Sequence, residues 1–206
     1  MDCEIFLIRH AQSHPKASIP DAQWPLSDLG RSQAQALAPL LAPLGIEEVI
    51  SSPYRRCLDT VAPFIGRQGI GLQVVHDLRE RLIVKTLIRD FADVWHRSWE
   101  DFHFALPECE SSHTAQERML AAMHVIAQES SGRRIAVSSH GNVIGLFLKT
   151  IEPSFHRTHT EEIRNPDVIR VLFRDERFHW DEGFRLEGLD AFCSAHSSTP
   201  MDHDED

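Results

Sequence analysis

The sequence predicts a three-layer α/β fold with a mainly parallel central sheet and a small helical cap. The first observation behind this prediction is that apolar runs at residues 4–8, 48–50 and 134–137 each end directly at polar residues, as buried strands of a parallel sheet do. The second is that segments with apolar residues at a period of 3.6 lie between the runs. A fourth candidate strand lies at residues 72–75. Strands that alternate with helices indicate β–α–β units.

The first helix is predicted to begin after Ser27, which is a favourable N-cap residue. Apolar residues recur at helical spacing from Leu29 to Leu44. Because proline cannot donate a backbone hydrogen bond within a helix, Pro39 and Pro43 are expected to kink or end it.

A small cap is predicted at residues 82–130. Its second half is typical of a helix from Thr114 to Ser130, in which Thr114 and Glu117 form a capping box. Its first half carries aromatic residues at helical spacing, and we interpret them mainly as a stripe that faces the core. The sharper alternative is that they line a substrate cleft. The stripe consists of Phe91, Trp95, Trp99 and Phe102.

The last third of the chain contains a predicted hairpin and a polar tail. Residues 168–173 and 177–180 are rich in apolar and aromatic residues and flank a short polar turn, which indicates two antiparallel strands. The tail at residues 194–206 is acidic with little to bury, so we expect it to be disordered. Residues 1–193 are therefore predicted to form a single domain.

The composition restricts the class of protein and of partner. The chain has 206 residues, of which 42% are hydrophobic, and a formal net charge of −10. An acidic chain is a poor partner for nucleic acid or for an anionic membrane surface. No apolar stretch approaches the roughly 18 residues of a membrane span, and the N-terminal apolar run is too short for a signal peptide. The four cysteines are scattered, so we expect no disulfide framework and a cytoplasmic location.

Chemically active side chains follow three of the predicted strands. Arg9 and His10 follow the first, Arg56 lies one turn beyond the second, and His140 and Gly141 follow the third. The carboxyl ends of parallel strands meet at one edge of a sheet, where ligands bind. Guanidinium groups and helix N-termini both bind phosphate oxygens, and a neutral imidazole is a nucleophile toward phosphorus. The pattern therefore predicts a phosphoryl-transfer site at this edge.

Six short motifs resemble those of the histidine phosphatases, the phosphoglycerate mutase-like superfamily. They occur in the family's order and span most of residues 5–150. In chain order they are L-I-R-H-A-Q-S at 7–13, L-S-D-L-G-R-S-Q-A at 26–34, S-P-Y-R-R-C-L-D-T at 52–60, D-L-R-E at 77–80, E-S at 110–111 followed by Arg118, and S-H-G-N-V-I at 139–144. Each motif is weak alone, but together they are specific.

The resemblance implies a role for five residues. His10 would be the nucleophile that becomes phosphohistidine, while Arg9, Arg56 and His140 would bind the transferring phosphoryl group and stabilise its charge. Glu80 would protonate the leaving oxygen and then activate water. The resemblance implies no metal ion and no other cofactor, because the arginines supply the positive charge.

Further residues are implied as substrate contacts or stay open as alternatives. Ser13, Gly141 and Asn142 would touch the phosphate or the rest of the substrate. Asp77 is the alternative acid if Glu80 is only a salt-bridge partner of Arg79 or Arg81. The implied substrate is a small phosphorylated metabolite.

The function implied by the resemblance is phosphomonoester hydrolysis. The short chain leaves little room for the insertions of the mutases, so a small phosphatase is favoured over a phosphoglycerate mutase. A non-catalytic phosphate-binding module is the alternative from another class. The sequence departs from the family at Ala11, Lys16 and Asp59, and lacks the G-x-W-E-G stretch after the acid. These departures leave the identity of the substrate open.

A metal site is a competing interpretation of one late segment. His156 and His159, followed by Glu161 and Glu162, have the residue types of a zinc site, but the H-E-x-x-H pattern is absent. We therefore expect a solvated loop before the last strands.

Overall fold

The computed structural model describes residues 2–85 and 88–193. Its sheet has the strand order β3-β2-β4-β1-β5-β6. The first four strands are mutually parallel, whereas β5 is antiparallel to β1 and β6 is antiparallel to β5. The mainly parallel sheet is therefore confirmed. The strands are β1 (Cys3–Arg9), β2 (Glu48–Ser51), β3 (Gly71–Val74), β4 (Arg134–Ser139), β5 (Asp167–Arg174) and β6 (Arg177–Trp180).

The α-helices account for most of the remaining regular structure. None of the helices in the described part of the chain is both long and apolar enough to cross a membrane. The helices are α1 (Asp28–Leu41), α2 (Arg55–Gln68), α3 (Phe91–Glu100), α4 (Ser112–Glu129), α5 (Gly141–Ile151) and α6 (Arg157–Glu162).

The three layers follow from the alternation of side chains along β1. Phe6 and Ile8 point to one face, where they join a core cluster with Leu37 of α1 and Val61 of α2. The neighbouring residues point to the other face, where Leu7 shares a cluster with residues of α4 and α5. Successive residues of a strand face opposite sides of its sheet, so a strand buried on both faces is apolar throughout. The predicted layer order α/β/α is confirmed.

The predicted cap range divides into two parts. Met119 and Met123 of α4 are fully buried against the sheet, so α4 belongs to the core layer. Helix α4 also begins earlier than predicted, because Ser111 is its N-cap and accepts a hydrogen bond from the backbone N–H of Thr114. The capping box predicted from Thr114 is therefore wrong. A cap stays a prediction for the residues before α4 alone.

Helix α1 begins where the sequence predicted. The hydroxyl of Ser27 accepts a hydrogen bond from Gly30 N at 2.9 Å, and the helix continues through Pro39. It ends at Leu41, and a 3₁₀ turn that contains Pro43 follows.

The late segments confirm one prediction and correct another. The hairpin of β5 and β6 is present, and its turn residues Asp175 and Glu176 adopt positive φ angles of 50° and 60°. The expected loop at residues 156–162 is wrong, because this segment forms helix α6. His156 and His159 form its capping box, in which His156 N donates to His159 Nδ1 at 2.8 Å. The polar tail at 194–206 lies outside the described residues.

Candidate active site

His10 and His140 lie at the carboxyl ends of two neighbouring strands. Strands β1 and β4 are parallel, with Arg9 opposite Ser139. The residues that follow them, His10 and His140, therefore lie at the same edge of the sheet. The backbone N–H of His10 donates to Ser139 O at 3.1 Å. The two imidazole centroids are 5.3 Å apart, and both rings are buried. The sequence prediction that these histidines converge is borne out by this geometry.

Arg56 of α2 reaches between the two imidazoles. Its Nε lies 3.2 Å from His10 Nε2 and 3.2 Å from His140 Nδ1. Its Nη1 donates to Asp21 O at 2.7 Å, and its guanidinium lies over the ring of Tyr54 at 4.8 Å. These contacts hold a cation at the centre of the site.

The hydrogen bonds of His10 define its neutral tautomer. A guanidinium only donates hydrogen bonds, so His10 Nε2 must accept from Arg56. The proton of the neutral ring then lies on Nδ1, which is 2.7 Å from Ala11 O and donates to it. The lone pair on Nε2 therefore faces Arg56, where it can attack an electrophile that the guanidinium binds.

Burial keeps His140 neutral. The pKa of its imidazole lies well below 6.5, because burial disfavours the charged ring and Arg56 and His10 add electrostatic repulsion. Its Nε2 lies 2.8 Å from Ser52 Oγ.

Arg9 is buried, and one of its donors has no partner. Its Nη1 donates to Ile163 O, whereas Nε is buried with no hydrogen-bond partner among residues 2–85 and 88–193. Burial lowers the pKa of the guanidinium to about 10. Gly141 permits this placement, since a Cβ at position 141 would lie 2.9 Å from Arg9 Cζ. A buried donor without a partner costs free energy, so the site favours an oxygen ligand here.

Asn142 adds further unpaired polar atoms. The side-chain nitrogen and oxygen of Asn142 are both buried, and neither has a hydrogen-bond partner within the described part of the chain. A ligand that offers both an acceptor and a donor would satisfy this amide.

Glu80 faces the N-terminus of α5. Its carboxylate oxygens accept hydrogen bonds from the backbone N–H groups of Arg81, Asn142 and Val143 at 2.9, 3.3 and 3.2 Å. Burial raises the pKa of Glu80, although these hydrogen bonds and the nearby arginines oppose the rise. A carboxyl group with a raised pKa in such a site has the property required of a general acid.

Two other candidates have different surroundings. Asp77, the alternative acid, is exposed and pairs with Arg79 at 2.8 Å. Ser13 is half-buried and forms an isolated antiparallel bridge with Leu26 beside the loop that follows β1. The predicted contact of Ser13 with substrate stays a prediction.

The aromatic stripe of α3 packs mainly inward. Trp99 and Phe102 are packed against the core cluster that includes α4 and α5. Trp95 Nε1 donates to Glu161 Oε1 at 3.0 Å, which joins α3 to α6. Phe91 is 42% exposed. The core-facing interpretation therefore holds for part of the stripe.

Several residues that fix the loop after β1 were not assigned a role from the sequence. Asn165 Nδ2 donates to His10 O at 2.8 Å, and Thr60 Oγ1 accepts from Ala11 N at 2.9 Å. Gln33 Oε1 accepts from Gln12 N at 2.9 Å. Thr60 and Gln33 lie within the quoted motifs, so their membership of a motif could have indicated a role. Asn165 lies outside every quoted motif, so nothing in the sequence indicated its role.

Gly30, another residue of these motifs, permits a close approach. A Cβ at position 30 would lie 1.9 Å from Gln12 O, which is far inside van der Waals contact. Any side chain there would displace helix α1 from the loop that carries His10.

The comparisons with known proteins agree with this geometry. The model of the histidine phosphatase superfamily (branch 1) matches residues 5–183. A relative from Cronobacter sakazakii, named a probable phosphoglycerate mutase, is 29% identical over 186 residues, which cover 83% of this chain and 85% of the relative.

Solved structures share the fold at lower identity. A mycobacterial glucosyl-3-phosphoglycerate phosphatase superposes with a TM-score of 0.72 at 21% identity and covers 88% of this chain and 98% of its own. A phosphoglycerate mutase from Bacillus anthracis superposes with a TM-score of 0.71 at 15% identity, covering 87% of this chain and 92% of its own. Phosphatases and mutases therefore both share this architecture.

Proposed function

The chain belongs to the histidine phosphatase superfamily (branch 1), and we propose that it hydrolyses phosphomonoesters of small metabolites through a phosphohistidine intermediate. The observation that carries the proposal is the lone pair on His10 Nε2, which faces Arg56 between two buried side chains. The unpaired donors Arg9 Nε and Asn142 Nδ2 support it, because they lack partners within the described residues and suit phosphate oxygens.

The first step transfers the phosphoryl group to the enzyme. The His10 Nε2 lone pair attacks phosphorus, and the bond between phosphorus and the ester oxygen breaks. Glu80 gives its proton to the departing oxygen, so the product is an alcohol. Arg9 and Arg56 neutralise the charge on the phosphoryl oxygens in flight, which is the main contribution a protein makes to this reaction.

The second step restores the enzyme. The Glu80 carboxylate removes a proton from a water molecule, whose oxygen attacks phosphorus as the bond to His10 Nε2 breaks. Inorganic phosphate leaves, and Glu80 is protonated again. The raised pKa of Glu80 supports this cycle, because the group must hold a proton in the first step and lose it to start the second.

A mutase is the second candidate, and the name of the Cronobacter sakazakii relative favours it. The same phosphohistidine would then return its phosphoryl group to another hydroxyl of the sugar acid. The two candidates differ only in whether water or a hydroxyl is the acceptor. Incubation with 3-phosphoglycerate separates them: release of inorganic phosphate supports the phosphatase, and formation of 2-phosphoglycerate with little phosphate supports the mutase.

The test of the shared chemistry is the variant His10→Ala. With p-nitrophenyl phosphate and EDTA, the wild-type protein should release phosphate, and His10→Ala should lose at least about a thousandfold in kcat because the nucleophile is gone. The matched control is His14→Ala, which removes a half-buried imidazole four residues further along the same loop. His14→Ala should keep activity within a few-fold.

A trapping experiment identifies the intermediate directly. A radiolabelled phosphate ester should leave label on the wild-type protein that is stable in alkali and lost in acid, as expected of a phosphorus–nitrogen bond. His10→Ala should carry no such label. Phosphate binding without turnover or label would instead indicate a non-catalytic binding module.

A further inference from the structure

The hydrogen bonds around His140 specify which of its nitrogens holds the proton. Arg56 Nε donates to His140 Nδ1 at 3.2 Å, and a guanidinium can only donate. Nδ1 must therefore be the acceptor. The ring is neutral because burial depresses its pKa, so its single proton lies on Nε2.

The proton on Nε2 has a short contact with Ser52. Ser52 Oγ lies 2.8 Å from His140 Nε2, and both residues are fully buried. The hydroxyl of Ser52 also accepts from Tyr54 N at 3.3 Å. The thiol of Cys57 is the other neighbour, but its sulfur lies 3.4 Å from Nε2, and sulfur is a weak acceptor.

The position of Ser52 follows from the same strand ends. Its backbone N–H donates to Ser138 O at 2.9 Å, which anchors the residue after β2 against β4. The hydroxyl therefore approaches His140 from a fixed backbone. An N–H group buried in this way is costly without an acceptor, so the serine adds to the preference for the tautomer that Arg56 also favours.

We propose that Ser52 is a positioning residue that holds His140 as the Nε2–H tautomer, so that the Nδ1 lone pair faces Arg56 and the phosphoryl site. The inference rests on the proposed function for its catalytic meaning. With Nδ1 unprotonated and the ring neutral, His140 can accept a hydrogen bond from the hydroxyl of a monoanionic phosphate ester without taking its proton.

The test reads the ring itself rather than its activity. Protein labelled with nitrogen-15 in histidine is measured by long-range proton–nitrogen correlation at pH 7.5, with His140 assigned by the signal that His140→Asn removes. The wild-type spectrum should have a protonated Nε2 and an unprotonated Nδ1. Protonation at Nδ1 in the wild-type protein would overturn the proposal without any variant.

Two serine variants and one cysteine variant then identify which neighbouring side chain stabilises the tautomer of His140. Ser52→Ala should move the nitrogen shifts toward averaged values, since only Arg56 then favours the Nε2–H tautomer. Ser51→Ala is the matched control, because Ser51 is equally buried and adjacent but donates to Ser52 O instead of the ring. It should leave the spectrum unchanged. A spectrum altered by Cys57→Ala and not by Ser52→Ala would assign the role to the thiol and overturn the proposal.

Kinetics give the functional counterpart. Ser52→Ala should lower kcat by about tenfold, the equivalent of one typical buried hydrogen bond, with a smaller effect on KM. In a profile of kcat against pH, the loss of activity at low pH should also occur at a different pH in Ser52→Ala than in Ser51→Ala. The tautomer measurement fails or succeeds whether or not the protein turns over phosphate esters, and the His10→Ala assay tests the proposed function separately. If Ser52→Ala does not fold, Ser52→Cys replaces it as a weaker acceptor of similar size.

Discussion

Two sides of the site, the proposed nucleophile side around His10 and the proposed acid side around Glu80, are held in different ways. On the nucleophile side, the loop after β1 is fixed by neutral side chains from three separate elements: Thr60 of α2, Gln33 of α1, and Asn165 before β5. Each makes a direct hydrogen bond to the main chain next to or within the loop. The position of His10 is therefore determined several times over.

The acid side is held largely by two charged residues, Arg81 and Arg118; Nη1 of Arg118 donates to Asp77 O at 2.6 Å and to Arg79 O at 3.1 Å. Arg81 follows Glu80 and is buried, with Nη1 donating to Ser98 Oγ at 2.9 Å and to Ser112 Oγ at 2.7 Å. Its Nε donates to Glu110 O at 2.8 Å. Burial lowers the pKa of this guanidinium to about 10. Arg81 thereby joins the acid to α3 and to the start of α4, in the segment where the family's G-x-W-E-G stretch is absent.

This contrast shows where a single substitution can act. Losing one neutral hydrogen bond on the nucleophile side leaves the others in place. Losing Arg81 removes three hydrogen bonds at once, and these tie the residue after Glu80 to α3 and to the start of α4.

The largest effect on the acid side is expected for Glu80→Gln. Removing a general acid lowers kcat by about 10² to 10⁴. The protonated carboxyl is the active form in the first step, so wild-type activity should fall as pH rises through the raised pKa of Glu80. Glu80→Gln should lose this alkaline limb. The loss should be larger for an alkyl phosphate than for p-nitrophenyl phosphate, whose leaving group needs no proton.

Asp77→Asn is the matched control for this experiment, since Asp77 is the exposed alternative acid. It should retain the alkaline limb and most of the activity. If Asp77→Asn loses the limb and Glu80→Gln keeps it, the acid has been assigned to the wrong carboxylate.

A smaller effect, on stability, is expected for Arg81→Met. The variant leaves the hydroxyls of Ser98 and Ser112 without their donor, so the free energy of unfolding should fall by about 1–3 kcal/mol. Urea denaturation measures this change. The control is Arg97→Met, in which the lost guanidinium lies over Phe104 on the exposed side of α3. Equal midpoints for the two variants would contradict the role of Arg81.

The smallest effect compares pH dependences on the nucleophile side. The pKa of His140 is depressed in the folded protein, so below about pH 6.5 the unfolded chain binds a proton that the folded chain does not. Stability should then fall with falling pH by about 1.4 kcal/mol per pH unit relative to His140→Asn. Above about pH 6.5 the free energies of unfolding of the wild-type protein and of His140→Asn should change with pH in the same way. Urea denaturation between pH 5 and 8 gives both curves, and parallel curves throughout would show that burial does not perturb His140.

The sequence predicted the features that depend on local pattern. Apolar runs between amphipathic segments predicted the sheet and its layers, and the residues that follow β1 and β4 placed His10 and His140 together. These predictions succeeded because the strand ends of a parallel sheet share one edge, whatever the loops do.

The features that failed or were missed depend on contacts distant in sequence or on competition between neighbours. Thr114 and Ser111 are both good N-caps, and only the packed helix decides between them. The link from Asn165 to His10 spans 155 residues and leaves no local pattern. Arg81 has an ordinary surface residue type, and its buried contacts appear only in the packed structure. Ser52 opens one of the quoted motifs, but its contact with His140 joins residues 88 apart and leaves no local pattern.

The place of β1 in the sheet has a consequence for how the protein is made. Strand β1 is translated before the other strands of the sheet, but it pairs with β4 and β5, which are translated more than a hundred residues later. His10 therefore lacks the contact with Asn165 until that residue has been synthesised, although Thr60 and Gln33 are translated earlier. A fold with such distant pairings closes slowly, so a nascent chain cut short before that point carries His10 without the complete set of contacts that place it.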